Sequence, residues 1–120
     1  MVALTAMLAP SPAQAQGDIR VAIAEGLKTV EVGGGPMMVS DPAGRSVLNE
    51  APTWLRATLK NGAIEVAGRR VDGLRLSPAD VGFLRTNNRE YPGTLEILQA
   101  GDGLLVVNEL PLDDYLAGAV

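Results

Sequence analysis

The chain contains no cysteine and no histidine, and these two absences remove most of the usual site chemistry. Disulfides, thiolate nucleophiles, Ser-His-Asp triads and the common zinc ligand sets are all excluded within it. No metal and no cofactor are expected, and any reaction would have to run on carboxylates, Tyr, Lys or Arg. Aromatic residues are scarce too, at one Trp, two Tyr and one Phe, so a core must be built from Val, Leu, Ile and Ala. Positive charge is in the minority. Ten Lys and Arg face fourteen Asp and Glu, for a formal charge of −4 and a pI of about 4.7. Phosphate neutralisation needs a basic field, so nucleic acid is not an expected partner. Long apolar runs are also missing: the longest, Met1 to Ala9, is too short to span a bilayer.

What is present begins with "MVALTAMLAPSPAQAQ", an apolar stretch that turns to Pro and small residues and ends in Ala13-Gln14-Ala15. This is the apolar segment and A-x-A cleavage pattern of a secretory signal, cut after Ala15, although no Lys or Arg precedes it. Residues 1–15 are accordingly expected to be a signal peptide. The mature chain is expected outside the cytoplasm (periplasm, cell wall or extracellular space), without a transmembrane span. Of the 120 residues, those from 16 to 120 suit one small domain.

From Gly17 the hydrophobic period is two, the signature of half-buried strands. Ile19, Val21 and Ile23 alternate with Arg20, Ala22 and Ala24, and Val30 and Val32 flank Glu31. Leu55, Ala57 and Leu59 alternate with Arg56, Thr58 and Lys60; Asn61-Gly62 then gives the strongest short hairpin signal, with Ile64 and Val66 on the return strand. Leu74 and Leu76 flank Arg75. "GGGP" at Gly33–Pro36 has neither the Lys-Ser/Thr of a phosphate loop nor a following helix, and reads as a strand connection. "DPAGR" reads as a turn. Near the end, Leu95 and Ile97 precede a hairpin turn at Ala100–Gly103, and Leu104–Val107 should be a strand buried on both faces. A helix is expected from about Pro111, with Asp113 and Asp114 complementing its dipole and Leu112, Tyr115, Leu116 and Ala119 forming one apolar stripe. The expected fold class is mainly β, with short antiparallel strands and hairpins in a sandwich or barrel-like arrangement and the start of a C-terminal helix.

Charge is placed unevenly. Arg56, Lys60, Arg69, Arg70, Arg75, Arg85 and Arg89 lie in the middle of the chain, and no basic residue occurs from Tyr91 to Val120. Two readings stay open: solvation of the outer strand faces, or a groove in which Arg69, Arg70 and Arg89 receive an anionic ligand, since guanidinium forks suit carboxylates. Asn108 can bond nearby backbone or a sugar. Tyr91 and Tyr115 fit core or rim packing better than stacking platforms.

The run Tyr91-x-Gly93-x-Leu95-x-Ile97, followed by "GLLVVNELPLDDYLAGAV" from Gly103 to Val120, resembles the stage II sporulation protein D and amidase-enhancer family (SpoIID/LytB domain). "IRVAIAEG", "MMVSDPAGR" and "LRTNNREYPG" resemble it more loosely. The resemblance implies an α+β fold in the full-length protein and action on bacterial cell-wall peptidoglycan. That action would be lytic transglycosylation of peptide-stripped glycan strands, or enhancement of an N-acetylmuramoyl amidase. In the family a Pro-x-Glu-Met motif, whose Glu is the proposed acid/base, follows the segment corresponding to "YLAGAV". No catalytic residue is therefore expected within this chain, which corresponds to the N-terminal portion of such a domain. One acid suffices for lytic cleavage, because it protonates the leaving oxygen and then helps the sugar's own 6-hydroxyl close an anhydro ring. Glu109, Asp113 and Asp114 are poor substitutes, since a helix N-terminus favours the charged form of the two Asp. Substrate-binding candidates are Arg69, Arg70, Arg89, Asn108 and Tyr115. Two other classes stay open: a non-catalytic amidase enhancer or wall-binding module, and an unrelated secreted β-domain with an interaction role.

Overall fold

The structure, a computed structural model, describes residues 17–80 and 82–119, and for residues 117–119 only the course of the backbone. The expected signal segment, residues 1–15, lies outside the described residues. Strands form where the alternation is clearest: β1 (Asp18–Leu27), β2 (Thr29–Val32), β3 (Met37–Ser40), β4 (Leu55–Lys60), β5 (Ala63–Val66) and β6 (Arg69–Val71). They continue through β7 (Gly73–Pro78), β8 (Leu84–Thr86), β9 (Arg89–Tyr91), β10 (Thr94–Ala100) and β11 (Gly103–Pro111), and the helix α1 (Leu112–Ala119) follows directly. The domain is mainly β with one short C-terminal helix among the described residues, as expected.

All strand pairings are antiparallel. One sheet has the order β1-β11-β10-β7-β3, a second the order β2-β4-β5-β6, and β8 and β9 make a separate hairpin. Two of the passages between the sheets take a single residue, Lys28 after β1 and Asp72 after β6, whereas residues 33–36 carry the chain from β2 to β3 and residues 41–54 from β3 to β4. Their inner faces therefore close on one core. Val30, Val32, Leu55, Ala57, Ile64 and Val66 from the second sheet are buried together with Leu74, Leu76, Leu95, Ile97, Leu104 and Val106 from the first. This is a sandwich of aliphatic side chains, as the scarcity of aromatics requires. Truncating any of the buried leucines to Ala would cost about 2–5 kcal/mol.

Turn chemistry sets the registers. Asn61 and Gly62 both have positive φ, 52° and 78°, and join β4 to β5 in the two-residue turn that this pair favours. Ala67 (φ 50°) and Gly68 (φ 78°) make the same turn before β6, with an alanine where the backbone suits Asn or Gly. Arg69 and Arg70 therefore stand on an edge strand, β6. The β10–β11 turn has positive φ at Gly101, and the return strand crosses β1 so closely that a Cβ on Gly103 would lie 2.8 Å from the Gly26 Cα.

The register of β1 against β11 corrects one expectation, and the burial of β11 meets another. The β1–β11 register shifts on either side of Val106. Ala24, expected to face out with Arg20 and Ala22, consequently turns towards the core and packs against it, as a bulge requires. In β11, Leu104, Val106 and Val107 are buried while Leu105 is half-buried, so the strand is covered on both faces along most of the expected run.

Candidate functional site

The β9–β10 corner shows how the tail motif folds. Tyr91 ends β9, and Gly93, at φ 82°, turns the chain where a Cβ would lie 2.3 Å from the Glu109 carbonyl oxygen. No other residue fits that approach. Opposite, Asn108 pairs with Leu95 on the inner face of β11 and is 5% exposed. Its Nδ2 donates to the carbonyl oxygens of Pro92 at 2.8 Å and Thr94 at 3.1 Å. Asn108 is thereby engaged with backbone, and its amide holds the corner in place.

Beside this corner lies a groove of about 340 Å³. Its floor is Val21 and Ile23 of β1 with Leu110 of β11, and its rim is Arg89 and Tyr91 of β9 with Asp114 and Tyr115 of α1. Three of the five sequence-derived candidates, Arg89, Asn108 and Tyr115, meet here although they come from different elements. Tyr91 packs half-buried against the core, whereas Tyr115 is 41% exposed. Arg89 has no ion-pair partner among the described residues. A guanidinium and two phenol rings over an aliphatic floor can hold a sugar ring and its carboxylate. The Leu112 amide donates to the Gly17 carbonyl oxygen at 3.1 Å, fixing the start of the helix beside β1.

Arg69 and Arg70 stand elsewhere. The β8–β9 hairpin attaches next to β2 through paired amide–carbonyl bonds of 2.8 Å between Gly33 and Arg85, whereas β6 is the opposite edge of the second sheet. Three strand spacings, roughly 14 Å, separate β2 from β6. Arg70 lines a different depression with Asp41, Arg45, Val71 and Asp72, and its guanidinium donates to the Asn61 carbonyl oxygen at 3.4 Å. A single groove lined by Arg69, Arg70 and Arg89 is not formed.

A charged cluster on the outer face of the first sheet was not anticipated. Arg20 (β1), Glu109 (β11), Glu96 (β10) and Arg75 (β7) come from four adjacent strands. Glu96 is 7% exposed, with Oε1 against the Arg20 guanidinium and Oε2 against that of Arg75. Glu109 Oε1 lies 3.3 Å from Arg20 and 3.4 Å from Arg75. The Arg20 contact is ionic without hydrogen-bond alignment, so Glu96 Oε1 has no hydrogen-bond partner. Arg75, one of the basic residues in the middle of the chain, is committed to this cluster. The sequence signal was a glutamate between Leu95 and Ile97, but only the register shows which arginines reach it.

The "DPAGR" turn is built around Asp41, whose Oδ1 accepts from the amides of Ala43 and Arg45 at 3.0 and 2.9 Å. The Arg45 amide, then the Arg45 charge and side-chain bond, hold the Asp41 carboxyl below its ordinary value against the opposing effect of partial desolvation.

Among the described residues no group of His, Cys, Asp and Glu is arranged to hold a metal ion, and no helix is long and apolar enough to cross a membrane. No family model, no curated protein and no solved structure matches this chain.

Proposed function

We propose that this chain belongs to an exported protein that acts on peptidoglycan, and that it binds peptide-stripped glycan in the groove between β1, β9 and α1. The observation that carries the reading is the meeting of Arg89, Tyr91 and Tyr115 around an apolar floor, beside the helix. That helix lies within the segment that resembles the SpoIID/LytB domain. The chemistry of the ligand agrees with this lining. Removing the stem peptide leaves a lactyl carboxylate on each muramic acid, a partner for the Arg89 guanidinium. The pyranose faces present C–H groups to the phenol rings.

The acid groups of the chain support binding rather than cleavage. Asp114, the carboxylate of the groove, is exposed in the first turn of α1. The buried Glu96 sits on the opposite face of the sheet, clamped by two guanidinium groups. A general acid for glycoside cleavage needs an apolar surround that keeps it protonated, and neither carboxylate has one. Purified chain incubated with peptide-free glycan should hold the strand and release no anhydro-sugars. Measuring both retention and reducing-end chemistry tests the reading, and turnover above a blank would overturn it.

A further inference from the structure

We infer that the glycan site extends along β1 into a second groove, in which Trp54 and the Asn87–Asn88 turn receive an uncharged N-acetylated sugar unit of the same strand. The ligand class rests on the reading above; the site itself rests on separate residues. This groove measures about 620 Å³, and β1 contributes Ala24 and Leu27 to its floor. Val21 and Ile23 of the same strand floor the α1 groove. The β8–β9 hairpin borders both, with Arg89 and Tyr91 towards α1 and Arg85, Asn87 and Asn88 towards Trp54. The two depressions therefore follow one another along Val21 to Leu27, roughly 20 Å at about 3.3 Å per residue. Several linked sugar rings would fill that length.

The groove is built rigidly. Gly33 and Arg85 exchange two backbone bonds of 2.8 Å, and the Thr86 hydroxyl donates to the Glu31 carbonyl oxygen at 2.7 Å. The hairpin is thus fixed against β2. Trp54 is fixed as well: the Arg56 guanidinium carbon lies 5.5 Å from its ring centroid, and Arg56 donates to Glu31 Oε2 at 2.8 and 3.1 Å. The indole nevertheless remains 53% exposed, a large apolar plane held open at the groove wall.

Charge in this groove is balanced, which selects the ligand. Glu31 is paired with Arg56, and the Arg85 guanidinium lies 4.0 Å from Glu90. No unopposed field remains for a polyanion. What is left free is an aromatic face, the Thr53 hydroxyl and the two carboxamides of Asn87 and Asn88, which donate and accept at once. Asn87 and Asn88 have φ of 54° and 64°, so the turn projects both side chains from a fixed backbone. An aromatic plane with amides and a hydroxyl matches a ring bearing C–H faces, hydroxyls and an acetamide.

Trp54 is the chain's one tryptophan, so its fluorescence reports this groove alone. The chain is titrated with peptide-stripped glycan and with short N-acetylglucosamine oligomers, which lack the lactyl carboxylate, while calorimetry measures binding independently. The expected result is a saturable emission change with both ligands, insensitive to salt for the uncharged oligomers. Trp54→Ala should weaken calorimetric binding about tenfold. Asn88→Gly, which preserves the turn, should weaken it by a smaller factor. Calorimetric binding with unchanged emission and unchanged affinity in both variants would overturn this inference and leave the α1 groove standing. No binding of any glycan would overturn both.

Discussion

Ala67 occupies a left-handed conformation, φ 50°, in which a Cβ costs about 1–2 kcal/mol. Asn is enriched at such positions without the unfolded-state entropy that glycine adds. Ala67→Asn should therefore stabilise the domain by up to about 1 kcal/mol, read as a higher Tm; an unchanged or lower Tm would show that the turn is unstrained. Asn108 tests the opposite case. Asn108→Ala leaves the Pro92 and Thr94 carbonyl oxygens without their donor and should cost about 1–3 kcal/mol. Asn108→Asp places a carboxylate against the same two oxygens and should cost at least as much. If denaturant unfolding finds either variant as stable as the parent, the corner is not held by this amide. Asp41 gives the pH-dependent prediction. Its folded-state value lies below the ordinary 3.8, so its contribution is complete above that pH and is lost as pH falls through the folded value. The Ala43 and Arg45 amide resonances should shift together with the carboxyl as the turn loosens in acid, and Asp41→Asn should abolish the coupling. Titration of the Asp41 carboxyl at or above 3.8 would contradict it.

At the scale of elements, the four-strand cluster ties the edge strand β1 to the interior of its sheet. Glu96→Ala removes the carboxylate that both arginines share and should destabilise the domain by about 1–3 kcal/mol, discounted from the fully buried case because Arg20 and Arg75 reach solvent. Hydrogen exchange should quicken first in β1. If protection falls equally in all strands, the cluster does not fasten β1 in particular. These elements also show what the sequence disclosed. Strands β2, β4, β5 and β7 were legible because buried aliphatic residues alternate with exposed positions in β2 and β4 and largely with half-buried ones in β5 and β7, so period two reports the fold directly. Strands β6, β8 and β9 have three residues each, too few to display a period. The Ala67-Gly68 turn before β6 lacks the residue that normally announces one. The Glu96 cluster depends on cross-strand register, and the shift at Val106 moves β1 out of simple alternation. No inspection of single residues could have assembled it.

For the whole molecule, two sheets close on an aliphatic core and leave the inner face of β1 half covered, flanked by the β8–β9 hairpin and α1. Arg89 and Tyr115 were legible as candidates, while their meeting was not, because it depends on where the hairpin docks. Trp54 was visible only as the one indole of the chain. Arg69 and Arg70 were grouped with Arg89 on charge, which carries no information about which edge of a sheet a residue occupies. The most direct test of the central claim is equilibrium binding of the purified chain to peptide-stripped and to peptide-bearing glycan across a salt series, with Arg89→Ala and the double variant Arg69→Ala/Arg70→Ala in parallel. The account predicts preference for the stripped strand, weakening with salt as screening shortens to about 8–10 Å. Arg89→Ala should lose that preference, and the double variant should retain it. Equal binding to both glycans, or a preference that survives Arg89→Ala and disappears in the double variant, would contradict it.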